Sequence, residues 1–248
     1  MAFPVRASAQ PVKGFTSWSF SRLSAHELCP LKAKLSMIDK IPEPQKPALK
    51  RGDEIHQLAQ KYITGAHAKM APELLLFKAL FKSLRRDHAK DPESVVVESS
   101  WAFRRDWSST TYDDWKEAWL RIKVDVARVR PDHVDVIDWK TGKFSPQFNL
   151  VDYLEQIELY ALGGLLLYQR PVTPRLVYLD QGVVFPEEKH ELERTYTPDD
   201  VPELRKKWEA KVKPMLADRK FAPKPNKWCY NCWYRKDNKA NGGGQCQY

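Results

Sequence analysis

Leu23, Leu28, Leu31 and Leu35 recur at helical spacing in TSWSFSRLSAHELCPLKAKL, behind Ser and Thr residues suited to capping, so this stretch predicts a helix. Pro30 disfavours helical backbone at the residue before it, and the helix is expected to break at Cys29 into two short pieces. IPEPQKP (41–47) reads as a Pro-rich connector, while ALKRGDEIHQLAQKYITG, ending at Gly65, and PELLLFKALFKSLRRD read as helices. The period then changes. ESVVVESSWAF predicts a strand, and EAWLRIKVDVARV a longer one with Leu120, Ile122, Val124 and Val126 on one face and Asp125 on the other. HVDVIDWK follows after a short Pro-Asp turn, so the last two strands are expected to pair as a hairpin. NLVDYLEQIELYALGGLLLY is a mostly apolar, well-packed helix, and PRLVYLDQGVVF and HELERTY read as further strands. TPDDVPELRKKWEAKVKPML places Thr197 at an N-cap with acids in the first turn, which predicts another helix. The last stretch, FAPKPNKWCYNCWYRKDNKANGGGQCQY, has no period and reads as a loop-rich knot.

The order of elements is helices, a sheet with a crossover helix, then a basic helix and a cysteine-bearing tail. That predicts an α/β fold with a mixed central sheet flanked by helices. We expect a flexible arm over 1–15 and a single domain over 16–248. Within it fall a helical lobe at about 44–93, a core at about 94–200, and a basic helix with the cysteine segment at about 201–248.

Of the 248 residues, 42% are hydrophobic, enough for a real core and too many for a disordered chain. No apolar run approaches the roughly 20 residues of a membrane helix, and the first residues lack the apolar segment of a secretory signal, so the expectation is a cytoplasmic protein. Charge changes the picture more. Of the formal +9, residues 203–248 carry +8, with Trp208, Phe221, Trp228, Tyr230, Trp233, Tyr234 and Tyr248 interleaved. Cations mixed with stacking rings suit a phosphate backbone with exposed bases. A solvated basic helix and tail is the plainer reading of the same pattern.

Chemistry enters at HVDVIDWKTGK. Asp138 and Lys140 alternate onto one strand face with Val134 and Val136, and the hairpin can bring Asp125 beside Asp138. Two close carboxylates repel, and a divalent cation resolves the conflict; their oxygens are the donors Mg and Mn prefer. Such an ion could polarise a phosphate, with Lys140 orienting the attacking water. A solvent-facing Asp and Lys on an edge strand is the alternative. Gln156 and Tyr160 share a face of the following helix, and His56 sits mid-helix beside Ile55, where a structural role is the ordinary one.

Four cysteines, Cys29, Cys229, Cys232 and Cys246, are not expected to form disulfides in a cytosolic chain. Cys-x-x-Cys aims two thiolates at one centre, and the run Gly242-Gly243-Gly244 lets Cys246 fold back to it. Spacing alone fits zinc and an iron–sulfur cluster equally, with buried unliganded thiols as the third reading. No Gly-x-x-x-x-Gly-Lys-Ser/Thr loop is present, so unwinding would need a separate helicase or recombination protein as partner.

In their order, SWSFSRLSAHELCPLKAKL, RGDEIHQ, KVDVARV, DVIDWKTGK, QIELY and FAPKPNKWCYNC resemble the PD-(D/E)XK nuclease superfamily. The resemblance is to its RecB-like branch, which includes CRISPR-associated spacer-acquisition nucleases and AddB-type recombination nucleases. It implies a restriction-endonuclease-like core and a metal-dependent DNA nuclease of recombination, repair, or phage or CRISPR DNA processing. It implies metal ligation (Mg or Mn) by His56, Asp125, Asp138 and the main-chain carbonyl of Trp139, with Lys140 as the catalytic lysine of the D-x-K signature. Gln156 and Tyr160 match the Q-x-x-x-Y motif that lies against DNA, and Glu98, on the preceding strand, is placed in support of the site. It also implies a 4Fe-4S cluster on Cys29, Cys229, Cys232 and Cys246, in preference to structural zinc. The chain departs from many relatives in having Ile122 where they have glycine, and thirteen residues between Cys232 and Cys246 where they have fewer. An exonuclease on single-stranded ends is the expected mode, since the aromatic residues suit unpaired bases. The rival from another class is a zinc- or cluster-stabilised nucleic-acid-binding protein without catalysis.

Overall fold

A computed structural model describes residues 13–240 and 243–248. The arm expected over 1–15 lies outside the described residues as far as residue 12, as does Gly242 of the glycine run. The chain forms two compact units, one of residues 44–209 and one built from both ends, 1–43 with 210–248.

In the 44–209 unit, α3 (Pro47–Ile63) and α4 (Lys78–Lys90) precede β1 (Val95–Phe103), the short β2 (Ser109–Thr110), β3 (Leu120–Val129) and β4 (Val134–Lys140). Then come α5 (Pro146–Tyr168), β5 (Val172–Tyr178) and β6 (Val183–Phe185). The six strands form one sheet in the order β2-β1-β3-β4-β5-β6, antiparallel except for the parallel β4–β5 pair that α5 connects. The mixed sheet, the β3–β4 hairpin and the crossover helix are as the sequence predicts.

Helices cover both faces. Ile55, Ala59 and Ile63 of α3 and Phe81 and Leu84 of α4 form one core with Val95, Val126, Ile137, Trp139 and Val177. The Phe81 and Trp139 rings lie 4.8 Å apart. Val136 alternates to the other face, where α5 comes in on Gly163 and Gly164. A Cβ at Gly164 would sit 3.6 Å from Val136 Cγ2, and one at Gly163 would sit 2.8 Å from both Ile122 Cδ1 and Trp101 Cε3. Gly163→Ala should therefore destabilise, although alanine is the better helix former by about 1 kcal/mol. The overpacking cost of roughly 1–3 kcal/mol prevails because both neighbours are buried and cannot retreat. A chemical-denaturation midpoint that rises in Gly163→Ala would contradict this.

The sheet departs from simple alternation at one row. Ile122 and Val126 have the same parity on β3, yet Ile122 meets α5 and Val126 joins the α3–α4 core. On β1, Trp101 meets α5 while Val95 lies in the α3–α4 core. Both strands thus invert between those residues, at the row that holds Glu98 and Asp125, which lies between the pairs Val97↔Val126 and Ser99↔Val124 and is itself unpaired. Glu98 has φ +52°, in the left-handed region that non-glycine residues rarely enter. The expectation that Ile122, Val124 and Val126 share one face is corrected accordingly.

Other segments also differ. PRLVYLDQGVVF is two strands, β5 and β6, parted by a turn at which Gly182 takes φ +67°. HELERTY forms no strand: only Tyr196 bridges, to Val172, while Arg175 ion-pairs Glu193 and Asp200 lies 2.5 Å from Arg194. PELLLF is a 3-10 turn (Pro72–Phe77) leading into α4, and β2 has no counterpart in the sequence pattern.

In the unit made of the chain ends, α1 (Phe20–Leu28) is capped by Ser19, whose Oγ accepts from Arg22 N at 3.3 Å, and α2 (Pro30–Ala33) restarts at Pro30. The predicted break at Cys29 is present. The C-terminal segment binds back to this region: Lys224 donates to Glu27 O (2.7 Å), Asn226 to Leu28 O (3.2 Å) and Tyr234 to Ile41 O (2.9 Å). The basic helix expected near the C-terminal end is α6 (Val201–Ala217). No helix among the described residues is long and apolar enough to cross a membrane.

Candidate metal centre and cysteine cluster

The β3–β4 ladder runs from Val129↔Val134 to Val126↔Ile137 and then stops. The next row would pair Asp125 with Asp138. There the Trp139 N–H, freed from the ladder, donates to Asp125 Oδ2 at 2.5 Å. A carboxylate has replaced a main-chain acceptor, and this holds both aspartates where the two strands part. From one side α3 brings in His56, whose Nδ1 lies 2.9 Å from Asp125 Oδ1. Gly52, one turn earlier on the same helix face, lets α3 pass close to the end of β4, since a Cβ there would lie 3.2 Å from Thr141 Oγ1.

The inverted row adds a third group. One ligand atom each from His56, Glu98 and Asp125 lies within 4.8 Å of the others. Two donors on opposite sides of Mg, bound at 2.0–2.1 Å, stand about 4.2 Å apart, so closure by no more than several tenths of an ångström brings this set onto one ion. Asp138 is engaged otherwise. Its Oδ1 accepts from the Tyr160 hydroxyl at 2.9 Å, and Tyr160 in turn accepts from Gln156 Nε2 at 2.7 Å. Lys140 Nζ is 2.6 Å from Asp138 Oδ2, yet at an angle that makes no hydrogen bond, so this buried oxygen has charge beside it but no directed donor. Asp138 Oδ2 thus stands beside the Lys140 ammonium with a lone pair open to another partner.

The electrostatics follow from this crowding. Burial and then the charge of Asp138 push Asp125 up to about 6, against the lowering pull of His56 and the Trp139 N–H. Burial alone would lower His56, but the hydrogen bond and charge of Asp125, with Asp138 and Glu98, outweigh it and raise the imidazole above its ordinary value. Burial and the nearby Asp138 hold the Tyr160 hydroxyl well above the usual phenol range, so it stays a donor. An oxygen-rich set with one imidazole, excess negative charge and an unpaired buried oxygen fits a hard divalent cation.

His56, Asp125, Asp138, Trp139 and Lys140 thus lie together, joined by Gln156 and Tyr160 through Asp138. Tyr160 is only 5% exposed, which leaves Gln156 as the more accessible member of that pair. Glu98 is the residue the pattern undervalued. Its only signal was an acid on the strand before the aspartate strand, because nothing in the sequence announces a left-handed glutamate.

All four cysteines are half-buried in the unit formed by the chain ends. Cys232 N donates to Cys229 O at 3.1 Å, which closes the Cys-x-x-Cys turn, and Cys229 Sγ accepts from Asn226 N at 3.3 Å. The Cys232 thiol is raised by burial, with Lys32 lowering it and Cys246 and Cys29 raising it further, so all these groups stand near it. No three of the sulfurs come within 4.8 Å of one another.

No curated protein matches the chain in sequence. Solved structures resemble it, among them two of low identity. SSO0001, at 16% identity and TM-score 0.36, is matched over 89% of this chain and 85% of its own. A protein from Eubacterium rectale named "Putative exonuclease", at 13% identity and TM-score 0.43, is matched over 81% and 80%. The model of the PD-(D/E)XK nuclease superfamily matches residues 17–236, nearly the whole described chain and every residue of the carboxylate row, and the chain belongs to that superfamily.

Proposed function

We propose that the protein is a divalent-metal-dependent deoxyribonuclease that hydrolyses phosphodiester bonds as an exonuclease on single-stranded ends. The observation that carries this reading is the convergence of His56, Glu98 and Asp125 beside the Asp138–Lys140 pair. His56, Asp125, Asp138 and the carbonyl of Trp139 would hold Mg or Mn, with Glu98 as a further oxygen donor. When bound, such an ion supplies Lewis acidity at the phosphate and a water of lowered pKa.

The chain's own groups do the rest. Tyr160 donates to Asp138 and fixes its rotamer, and Gln156 fixes Tyr160, so the carboxylate faces the reacting phosphate in one orientation. Lys140 offsets negative charge at the phosphate and orients the attacking water, since its ammonium lies beside Asp138 with donors to spare. Gln156, accessible at the end of this chain of bonds, contacts the nucleic acid strand. The basic segment 203–248 supplies attraction to the backbone. DNA repair, recombination or phage or CRISPR DNA processing, together with a helicase or recombination partner in the cytoplasm, is the setting these properties suit.

The test is cleavage of end-labelled single- and double-stranded DNA with EDTA, Mg or Mn. Metal-dependent release of short products from single-stranded ends is expected. Tight binding without cleavage under any metal would return the chain to the class of non-catalytic nucleic-acid binders.

For the cysteines we propose a 4Fe-4S cluster on Cys29, Cys229, Cys232 and Cys246. The Cys-x-x-Cys turn, with Cys29 and Cys246 near enough to act on the Cys232 thiol, supports one centre for all four sulfurs, and the resemblance of the sequence favours the cluster over zinc. Anaerobically purified protein is expected to be brown, with iron and acid-labile sulfide that are lost in Cys229→Ser. Colourless protein with one zinc per chain would replace the cluster by zinc.

A further inference from the structure

The exposed face of β3 carries more than the metal row. One pleat beyond Glu98 and Asp125, the register pairs Ser100 with Lys123. Glu98, Ser100 and Lys123 are all exposed, whereas the alternating Trp101, Ile122 and Val124 are buried. Lys123 alternates with Ile122, which meets α5, so it projects from the other face, the one from which α3 brings His56 to Asp125; it stands two residues of strand from Asp125, or about 6.8 Å. Among the described residues its ammonium has no carboxylate partner, and it lies 5.4 Å from the Tyr112 ring centroid.

Next to it stands a tryptophan held out in solvent. Trp115 is 73% exposed, and the Arg121 guanidinium covers its ring at 4.5 Å. The loop that presents it is firmly tied. Arg121 donates to the carbonyls of Tyr112 (3.0 Å), Asp114 (3.1 Å) and Ala118 (3.2 Å). Asp114 accepts from Thr110 Oγ1 (2.9 Å) and from the main-chain N–H of Glu117 (3.0 Å). A buried arginine, 7% exposed, thus spends its donors on fixing a loop whose most prominent side chain packs into nothing on its outer side. Such rigidity is wasted on a ring left to solvent. It suits a ring that must be in place when a flat partner arrives.

We propose that Lys123 and Trp115 form a ledge for an unpaired nucleic-acid strand leading away from the metal row. Lys123 holds the phosphate adjacent to the one at the carboxylates, because the two-residue step along β3 is of the order of one nucleotide step of an extended strand. Trp115 stacks on a base one or two nucleotides further along. Charge complementarity at Lys123 and the arginine-backed ring together select nucleic acid over an apolar protein segment. The assignment rests on the nuclease reading for where the strand ends, but not for its binding.

The experiment measures fluorescence anisotropy of labelled single-stranded oligonucleotides on full-length protein in the cleavage-impaired Asp138→Asn background. Trp115→Ala is expected to weaken binding by roughly ten-fold, and Trp115→Phe by much less, since stacking carries the contact. Lys123→Gln is expected to flatten the slope of log affinity against log salt by about 0.7. Introducing one abasic site at successive positions should abolish the Trp115→Ala penalty at a single position only, which a merely structural role would not produce. Because Trp115 is so exposed, its truncation leaves the fold intact, and an unchanged melting curve verifies this. Affinities unchanged in both variants, or a Trp115→Ala penalty indifferent to every abasic site, overturn the ledge. If wild-type protein cleaves nothing with any divalent metal while these binding changes appear, the nuclease reading falls and the ledge stands. If metal-dependent cleavage is present and binding ignores Trp115, the reverse holds.

Discussion

Asp138→Asn is expected to lower the rate of DNA cleavage by on the order of 10³-fold or more while leaving single-strand binding within a few-fold of wild type. The substitution keeps the size and shape of the side chain, and the Asn carbonyl can still accept from Tyr160. It removes the negative charge that, on the metal-dependent reading, would draw a cation to the site, and that stands 2.6 Å from the Lys140 ammonium. Lys140→Ala should give a comparable loss for a different reason: the carboxylates keep their ion but the phosphate loses its ammonium. The two defects are separable by titrating Mn. High Mn should partly restore Asp138→Asn, whose lesion is weakened ion binding, and should not restore Lys140→Ala. Tyr160→Phe is the graded control. It leaves Asp138 charged but frees its rotamer, so a loss of about 10-fold is expected, about the worth of one charge-assisted hydrogen bond. Full activity in Asp138→Asn would remove the site from the mechanism altogether.

What the sequence made legible divides cleanly by mechanism. The break at Pro30 and the β3–β4 hairpin follow from local rules, a proline's effect on its predecessor and a two-residue period, and both are present. The carboxylate pair was legible because a D-x-K strand beside another aspartate strand has few ways to satisfy its charges. The inverted row at Glu98 and Asp125 was not. Alternation templates assume one continuous pleat, and a single left-handed residue shifts every later side chain to the other face. When that residue is glycine the sequence warns of it; here it is glutamate, and the warning is absent. HELERTY failed as a strand for the opposite reason. Its alternation is real, but β6 already pairs with the outer edge of β5 from Leu176 to Tyr178, leaving Tyr196 only the single bridge at Val172.

Metal-free protein is expected to lose stability as pH rises from about 4 to about 8, and divalent metal is expected to reverse this. Asp125 is pushed up to about 6 by burial and by Asp138, so between its ordinary value and 6 the folded chain holds a proton that the unfolded chain has released. A group bound more tightly to its proton in the folded state stabilises below the unfolded pKa and ceases to do so above the folded one. His56 is also raised, and it acts with the same sign at somewhat higher pH: its contribution is present below the ordinary histidine value and lost as pH passes the folded one. Carboxylates such as Asp87 and Asp200, lowered by their arginine and main-chain partners, act with the opposite sign, but below their ordinary range and so outside this window. The Asp125 shift corresponds to a fall on the order of 3 kcal/mol, or roughly 6–12 °C in Tm for a domain of this size. Asp125→Asn cannot titrate, so its Tm should vary less over the same pH range and at pH 8 exceed that of the metal-free wild type. Adding Mn at about a hundred times its Kd should return roughly 2.7 kcal/mol to the wild type at pH 8 and much less to Asp125→Asn. These outcomes would bind stability and activity to one feature, since the carboxylate repulsion that costs stability would also give a cation its affinity there. Parallel Tm curves for wild type and Asp125→Asn across pH 4–8, with equal responses to Mn, would show that Asp125 neither carries the strain nor binds the ion.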